Sequence, residues 1–168
     1  MMKAIWFVVL ALTAAAAAYA DDARVLFPSG YKGSFTNYLR LDRVQNHDQI
    51  IHLYANDVAL DAAAAGKELP NGSILVGEIY AAKKDADGNV LTSALGLRIP
   101  EKFAAVAVMQ KEDGWGARFP EETRNGDWDF GIFQPDGQRL DKDLNACRAC
   151  HAPLTDRHHV FSLEHLQR

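Results

Sequence analysis

Cysteine is nearly absent from this chain: only Cys147 and Cys150 occur in 168 residues. Methionine is almost as scarce. Two of the three stand at positions 1 and 2, so a chain that loses its N-terminus keeps Met109 alone. There is no excess of basic residues. The net charge of −4 argues against nucleic acid and anionic membranes as partners, because both attract basic surfaces. Beyond the first twenty residues there is no second long hydrophobic run, no internal repeat and no low-complexity segment, so nothing marks an internal domain boundary. The four long amphipathic periods that a helical bundle requires are also missing.

The N-terminus carries an address. Lys3 supplies a short positive region, Ala4 to Ala18 is apolar, and Ala18-Tyr19-Ala20 fits the small-x-small cleavage rule ahead of Asp21 and Asp22. Residues 1–20 therefore read as a secretory signal peptide cleaved after Ala20, and 21–168 as one exported, periplasmic domain with a real core. The apolar run is shorter than the ~20 residues of a comfortable membrane span, which leaves an uncleaved anchor as the lesser alternative.

The periodicity of the body is mainly β. Arg24 to Arg40 is an aromatic segment with one short helix. Ile50 to Ala55 reads as a strand, Val58 to Ala65 as a helix capped by Asn56 or Asp57 and ended by Gly66, and Leu69-Pro70-Asn71-Gly72 as a turn. Ser73 to Ala82 follows as a strand. Val90 onward is expected to return as its partner after the Asp85–Asn89 turn. Phe103 to Met109 reads as a buried strand, and Trp128 to Phe133 as another with Trp128, Phe130 and Ile132 on one face. Asp141 is placed to cap a last helix. The fold class expected is mainly β (α+β): an antiparallel sheet core with a few short helices.

That last helix carries Cys147-Arg148-Ala149-Cys150-His151, the C-x-x-C-H spacing of a c-type haem attachment site. The two thiols add across the haem vinyl groups, and the adjacent imidazole takes the iron from one side. Positions i, i+3 and i+4 share a helix face, so Cys147, Cys150 and His151 can meet one porphyrin. Three competing readings are weaker. A thioredoxin-like pair opens a helix after a strand, whereas this one lies near the C-terminus. A zinc site recruiting His158 or His159 lacks the usual four-ligand spacing. A simple disulfide leaves the histidine unused. For a second axial ligand, Met109 sits inside an apolar strand, where packing is its ordinary role. His47, His52, His158, His159 and His165 are the other candidates, and none stands out. The iron is therefore expected to be five-coordinate, with an open distal face that suits small-ligand binding.

The order of features resembles the cytochrome P460 family, which includes the β-type cytochromes c′. The resemblance is carried by Tyr38, Leu53-Tyr54-Ala55-Asn56, Leu69-Pro70-Asn71-Gly72-Ser73, the Ile74 to Tyr80 strand, Gly114-Trp115-Gly116, Asn125-Gly126 before Trp128, the C-x-x-C-H motif and Val160-Phe161. It implies a homodimer of antiparallel sheets holding one covalent haem c, with a histidine on the proximal side and an open distal side. It also implies a nitrogen-oxide or small gaseous ligand and, in some members, a redox partner protein. P460 members oxidise hydroxylamine and carry a lysine cross-linked to the porphyrin; the β-type cytochromes c′ lack that link and bind nitric oxide or carbon monoxide.

In the matching stretch Gly72 to Glu78, the lysine position is occupied by Gly77, and Lys83 and Lys84 read as solvated charges beyond the strand. Glu78 is the one acid in an apolar strand. Alternation turns it to solvent, or else it serves as a proton relay to a bound ligand. Phe35, Tyr38, Phe103 and Phe133 are candidate pocket walls whose ordinary role is core. The leading expectation is an exported mono-haem c-type cytochrome that binds small ligands such as nitric oxide. A hydroxylamine or nitric oxide oxidoreductase, with Glu78 moving protons, is one alternative. A simple electron carrier is the other, and it would need a sixth ligand.

Overall fold

β-branched and aromatic residues bounded by Gly, Pro and Asn breaks resolve into five strands in the computed structural model, which describes residues 24–167. The expected signal peptide lies outside the described residues. The strands are β1 (Thr36–Asp42), β2 (Gln49–Ala55), β3 (Ile74–Ala82), β4 (Pro100–Lys111) and β5 (Trp128–Phe133). They form one sheet in chain order, each antiparallel to its neighbour. The helices are short: α1 (Tyr31–Ser34), α2 (Asp57–Ala64), α3 (Asn145–His151) and α4 (Leu163–Leu166). This is the mainly β (α+β) class expected from the sequence.

Side chains alternate along a strand, so the register decides which residues share a face. Leu53, Gly77, Ala107 and Ile132 align across four strands, with Ala55 and Leu75 in the adjoining row and Leu75 aligned in turn with Met109 and Phe130. These residues make the front face. Ala55, Leu75 and Trp128 are covered there by Ala59 and Ala63 of α2, by Leu69 and by Val160, Leu163 and Leu166 of the C-terminal segment. The back face carries Val76, Val106, Val108 and Phe133, covered by Val25 and Tyr31 of the N-terminal segment.

Asn56 shows how one side chain joins two elements. Its Oδ1 accepts from Ala59 N–H at 3.2 Å, capping α2, and from Ile74 N–H at 3.1 Å, while its Nδ2 donates to the Gly72 carbonyl at 2.8 Å. The cap and the start of β3 are thereby fixed together.

Three expectations change. Thr36–Asp42 is a strand rather than part of an irregular lead-in; a register shift between Asn37 and Leu39 interrupts its alternation. The partner of β3 is β4. Val90 returns only through an isolated bridge to Lys84, and Thr92 pairs with Arg98 in the same excursion. Asp141 does not cap α3: the helix starts after Leu144, and Asp143 accepts from the Asn145 N–H at 2.9 Å.

Candidate functional site

α3 is too short to be stable by propensity alone, so tertiary anchors must hold it. The main one is Arg148, the first of the two residues between the cysteines. It is buried, donates to Asp129 Oδ1 at 2.8 Å and lies over the Phe119 ring at 4.2 Å. Arg24 donates to the other oxygen, Oδ2, at 2.8 Å, so one buried carboxylate on β5 holds two guanidinium groups. The Asn125 amide adds a bond to the Arg148 carbonyl at 3.2 Å.

This anchoring positions His151. Its Nδ1 lies 2.8 Å from the His159 carbonyl oxygen. A carbonyl only accepts, so Nδ1 carries the proton and Nε2 keeps its lone pair. His159 reciprocates, its own Nδ1 donating to the His151 carbonyl at 3.2 Å. Phe130 and Phe161 stand edge-on to the imidazole, with centroids 5.1 and 4.9 Å away. Burial holds the His151 pKa below the ordinary imidazole value, which keeps the ring in the neutral form that binds metal.

Both thiols are free of disulfide bonds; Cys147 is half-buried and Cys150 exposed. Burial pushes the Cys147 thiol up, so it is protonated rather than a standing thiolate. Among the described residues no group of three or more His, Cys, Asp and Glu is arranged to hold a metal ion, which leaves the zinc alternative without a ligand set. Next to Phe130 the front face offers an apolar strip: Leu39, Leu53, Ala107 and Ile132, all half-buried, with Gly77 among them. A fixed imidazole with a free Nε2, two unpaired thiols on its helix and an uncovered apolar strip beside it fit a haem.

Residues 28–162 match the cytochrome P460 family. The chain belongs to that family. It is therefore a cytochrome, and its cofactor is a haem. Comparison with curated proteins returns no match.

The glycines of the family-like Gly-Trp-Gly and Asn-Gly elements have a physical reason in this cytochrome. A Cβ on Gly116 would fall 1.8 Å from the Gly126 carbonyl oxygen, so these two backbone segments meet only because position 116 has no side chain. The Gly116 N–H also donates to Asp127 Oδ1 at 3.0 Å. This contact sets the approach to β5, whose Asp129 and Phe130 hold α3 and His151.

Glu78 lies on the back face, across the sheet from Phe130 and His151. It is not turned to solvent: at 1 % exposure it accepts from Tyr31 at 2.7 Å and from Tyr54 and Tyr80 at 3.0 Å, and pairs with Lys32 at 2.7 Å. His52 is beside it at 3.7 Å. Phe35, Phe103 and Phe133 belong to the back core, and Tyr38 packs on the front core with its hydroxyl 2.8 Å from Ser162 Oγ. Met109 also packs against the front core. Lys83 is exposed, Lys84 pairs with Asp48 at 2.6 Å, His47 lies in an exposed turn and His165 in α4. Gly77 faces the front strip, where a Cβ would meet Ile51 Cδ1 at 2.9 Å.

Four contributors were not singled out from the sequence as parts of the site: Arg148, Asp129, Arg24 and the His159 carbonyl. Asp129 and Arg148 carry a signal, a lone acid inside an apolar strand and an arginine within the motif, whereas Arg24 stands far from both in the sequence. The carbonyl carries none, because it is a backbone group.

Proposed function

We propose that this protein is an exported mono-haem c-type cytochrome whose iron is held by His151 and takes up a small ligand such as nitric oxide on its other side. The observation that carries this reading is the fixed tautomer of His151, with Nε2 free on the helix that also bears Cys147 and Cys150. When bound, the haem supplies an iron able to coordinate a diatomic ligand. The chain's own part is to orient and exclude. The His159 carbonyl holds the imidazole and raises its donor strength, the two cysteines would tether the group, and the apolar strip would keep water and charge away. His158 and His159 follow His151 on the same connection, His52 is on the back face and Met109 is packed in the front core, which supports the reading of a five-coordinate iron. Gly77 in place of a lysine favours a haem held by its two thioethers, without a further link.

Denaturing electrophoresis and mass spectrometry of haem peptides test the attachment. Haem should stay with the wild-type chain through two thioether links, and Cys147→Ala or Cys150→Ala should weaken or abolish its retention. The ferric protein should be mainly high-spin by EPR and bind nitric oxide when reduced. Haem that extracts freely would end the haem c reading. A low-spin spectrum that turns high-spin in Met109→Ala would make the protein an electron carrier. A lysyl-porphyrin adduct would move it to the hydroxylamine-oxidising class.

A further inference from the structure

The segment from His151 to His159 closes on itself. The His151 carbonyl accepts from the Leu154 N–H at 3.1 Å, and the Leu154 carbonyl accepts from the His159 N–H at 2.7 Å. Two crossed ring bonds complete the closure. His151 Nδ1 donates to the His159 carbonyl at 2.8 Å, and His159 Nδ1 donates to the His151 carbonyl at 3.2 Å. A carbonyl oxygen has two lone pairs, so that of His151 can serve both of its donors. The His159 backbone is left-handed, at φ 60°. Glycine takes that conformation at no steric cost and asparagine takes it readily, whereas other side chains do so rarely. The imidazole at this position is therefore explained by what its ring does, not by what its backbone needs. The ring lies beside Gly126, where an added Cβ would stand 3.6 Å from its Cδ2 and Nε2, and the Gly126 carbonyl is the one that meets Gly116 so closely.

We propose that the His159 side chain is a positioning residue for the iron ligand, and that the clasp it forms keeps His151 on the iron when nitric oxide binds opposite. Its ring bond to the His151 carbonyl fixes where its own carbonyl stands, and that carbonyl fixes the orientation of the His151 ring. The two backbone bonds through Leu154 do not need the ring, so the loop survives its loss while the aim of the imidazole does not. A hydrogen bond accepted from Nδ1–H strengthens Nε2 as a donor. Phe130 and Phe161, edge-on to the imidazole at 5.1 and 4.9 Å, restrict its rotation. Nitric oxide weakens the bond opposite to it, so a haem with one histidine either keeps that ligand or loses it on binding. A clasped imidazole is kept. This outcome rests on the haem reading above; the clasp itself rests only on bonds within the chain.

The test compares the haem-loaded wild type with His159→Asn, His159→Gly and His159→Leu. Asparagine offers an amide N–H in place of Nδ1 and accepts the left-handed backbone. Glycine accepts the backbone and offers no donor, and leucine does neither. Resonance Raman of the ferrous protein reads the iron–His151 bond. Its stretching band should shift to lower frequency in His159→Gly and His159→Leu and return in His159→Asn. EPR of the ferrous nitrosyl form should show splitting from two nitrogens in the wild type and His159→Asn, and from one in the other variants. A band that stays still in both His159→Gly and His159→Leu, or that asparagine does not restore, overturns the role of the ring. Splitting from a single nitrogen in the wild type overturns the retention of His151. Should haem fail to stay with the wild type, the iron reading falls, and nitrogen-15 NMR of the His151 ring in the chain as purified still decides on the clasp. The Nδ1–H tautomer should then dominate in the wild type and His159→Asn and give way to a mixture in the other variants; one tautomer in all four proteins overturns it.

Discussion

Glu78 illustrates how a single residue is governed by its surroundings. Burial alone pushes its carboxyl up, but the Lys32 ammonium and the hydroxyls of Tyr31, Tyr54 and Tyr80 outweigh that and leave it below the ordinary carboxylate value of 4.5. The same contacts, added to burial, push the Tyr80 hydroxyl up to about 12, so it stays a donor at any physiological pH. A carboxylate whose folded pKa is depressed stabilises the fold fully above its unfolded value. That contribution fades as pH falls through the folded value. Glu78→Gln should therefore cost about 2–3 kcal/mol at pH 7, the loss of charge-assisted hydrogen bonds in a buried site. The gap between wild type and variant in urea unfolding should narrow well below pH 4.5. A gap that stays constant down to pH 3 would show that the charge contributes nothing. The haem spectrum should not respond, because this cluster faces away from His151.

At the scale of elements, α3 depends on β5. Asp129 is 3 % exposed and is the shared partner of Arg24 and Arg148, so removing its charge leaves two guanidinium groups in a poorly solvated site. Asp129→Asn should cost about 3–5 kcal/mol in urea unfolding, the range for breaking a buried ion pair from one side. Arg148→Met should cost less, since Asp129 keeps Arg24 as partner. Haem retention should fall with Asp129→Asn as α3 loosens, and an Asp129→Asn protein of wild-type stability would dismiss the anchor. These elements were unequally legible in the sequence. β2, α2 and β3 are bounded by Asn, Gly and Pro whose conformational demands act locally, and Asn56 caps as its side chain requires. β1 was missed because the shift at Tyr38 breaks its alternation. The reading of Glu78 as solvent-facing failed because alternation shows which residues share a face, and cannot show that a distant N-terminal segment covers it. Cys147, Cys150 and His151 were legible as a candidate because they stand together in one C-x-x-C-H spacing. Arg148–Asp129 and the His159 carbonyl were not, since they arise only when the chain folds back on itself.

Across the whole molecule, three of the six exposed large apolar side chains among the described residues belong to one turn and one excursion at an end of the sheet. Arg98, in the excursion between β3 and β4, donates to the carbonyls of Arg43, Asn46 and Gln49 around the β1–β2 turn, and its N–H meets the Asp42 carboxylate. The turn and the excursion are thus tied together, and their apolar side chains stay outside: Val44 and Leu95 are 84 % exposed and Leu97 56 %. Three large apolar side chains held at one end by a half-buried guanidinium suit the homodimer that the family resemblance implies, with a second copy covering them. Burying one such leucine is worth about 1.5–3 kcal/mol, more than tenfold in a dissociation constant. Sedimentation velocity of the wild type at micromolar concentration should therefore show a dimer, and the double substitution Val44→Asp and Leu95→Asp should shift it to monomer. A wild type that sediments as a monomer would remove the dimer. A dimer that survives both aspartates would move the interface to another surface.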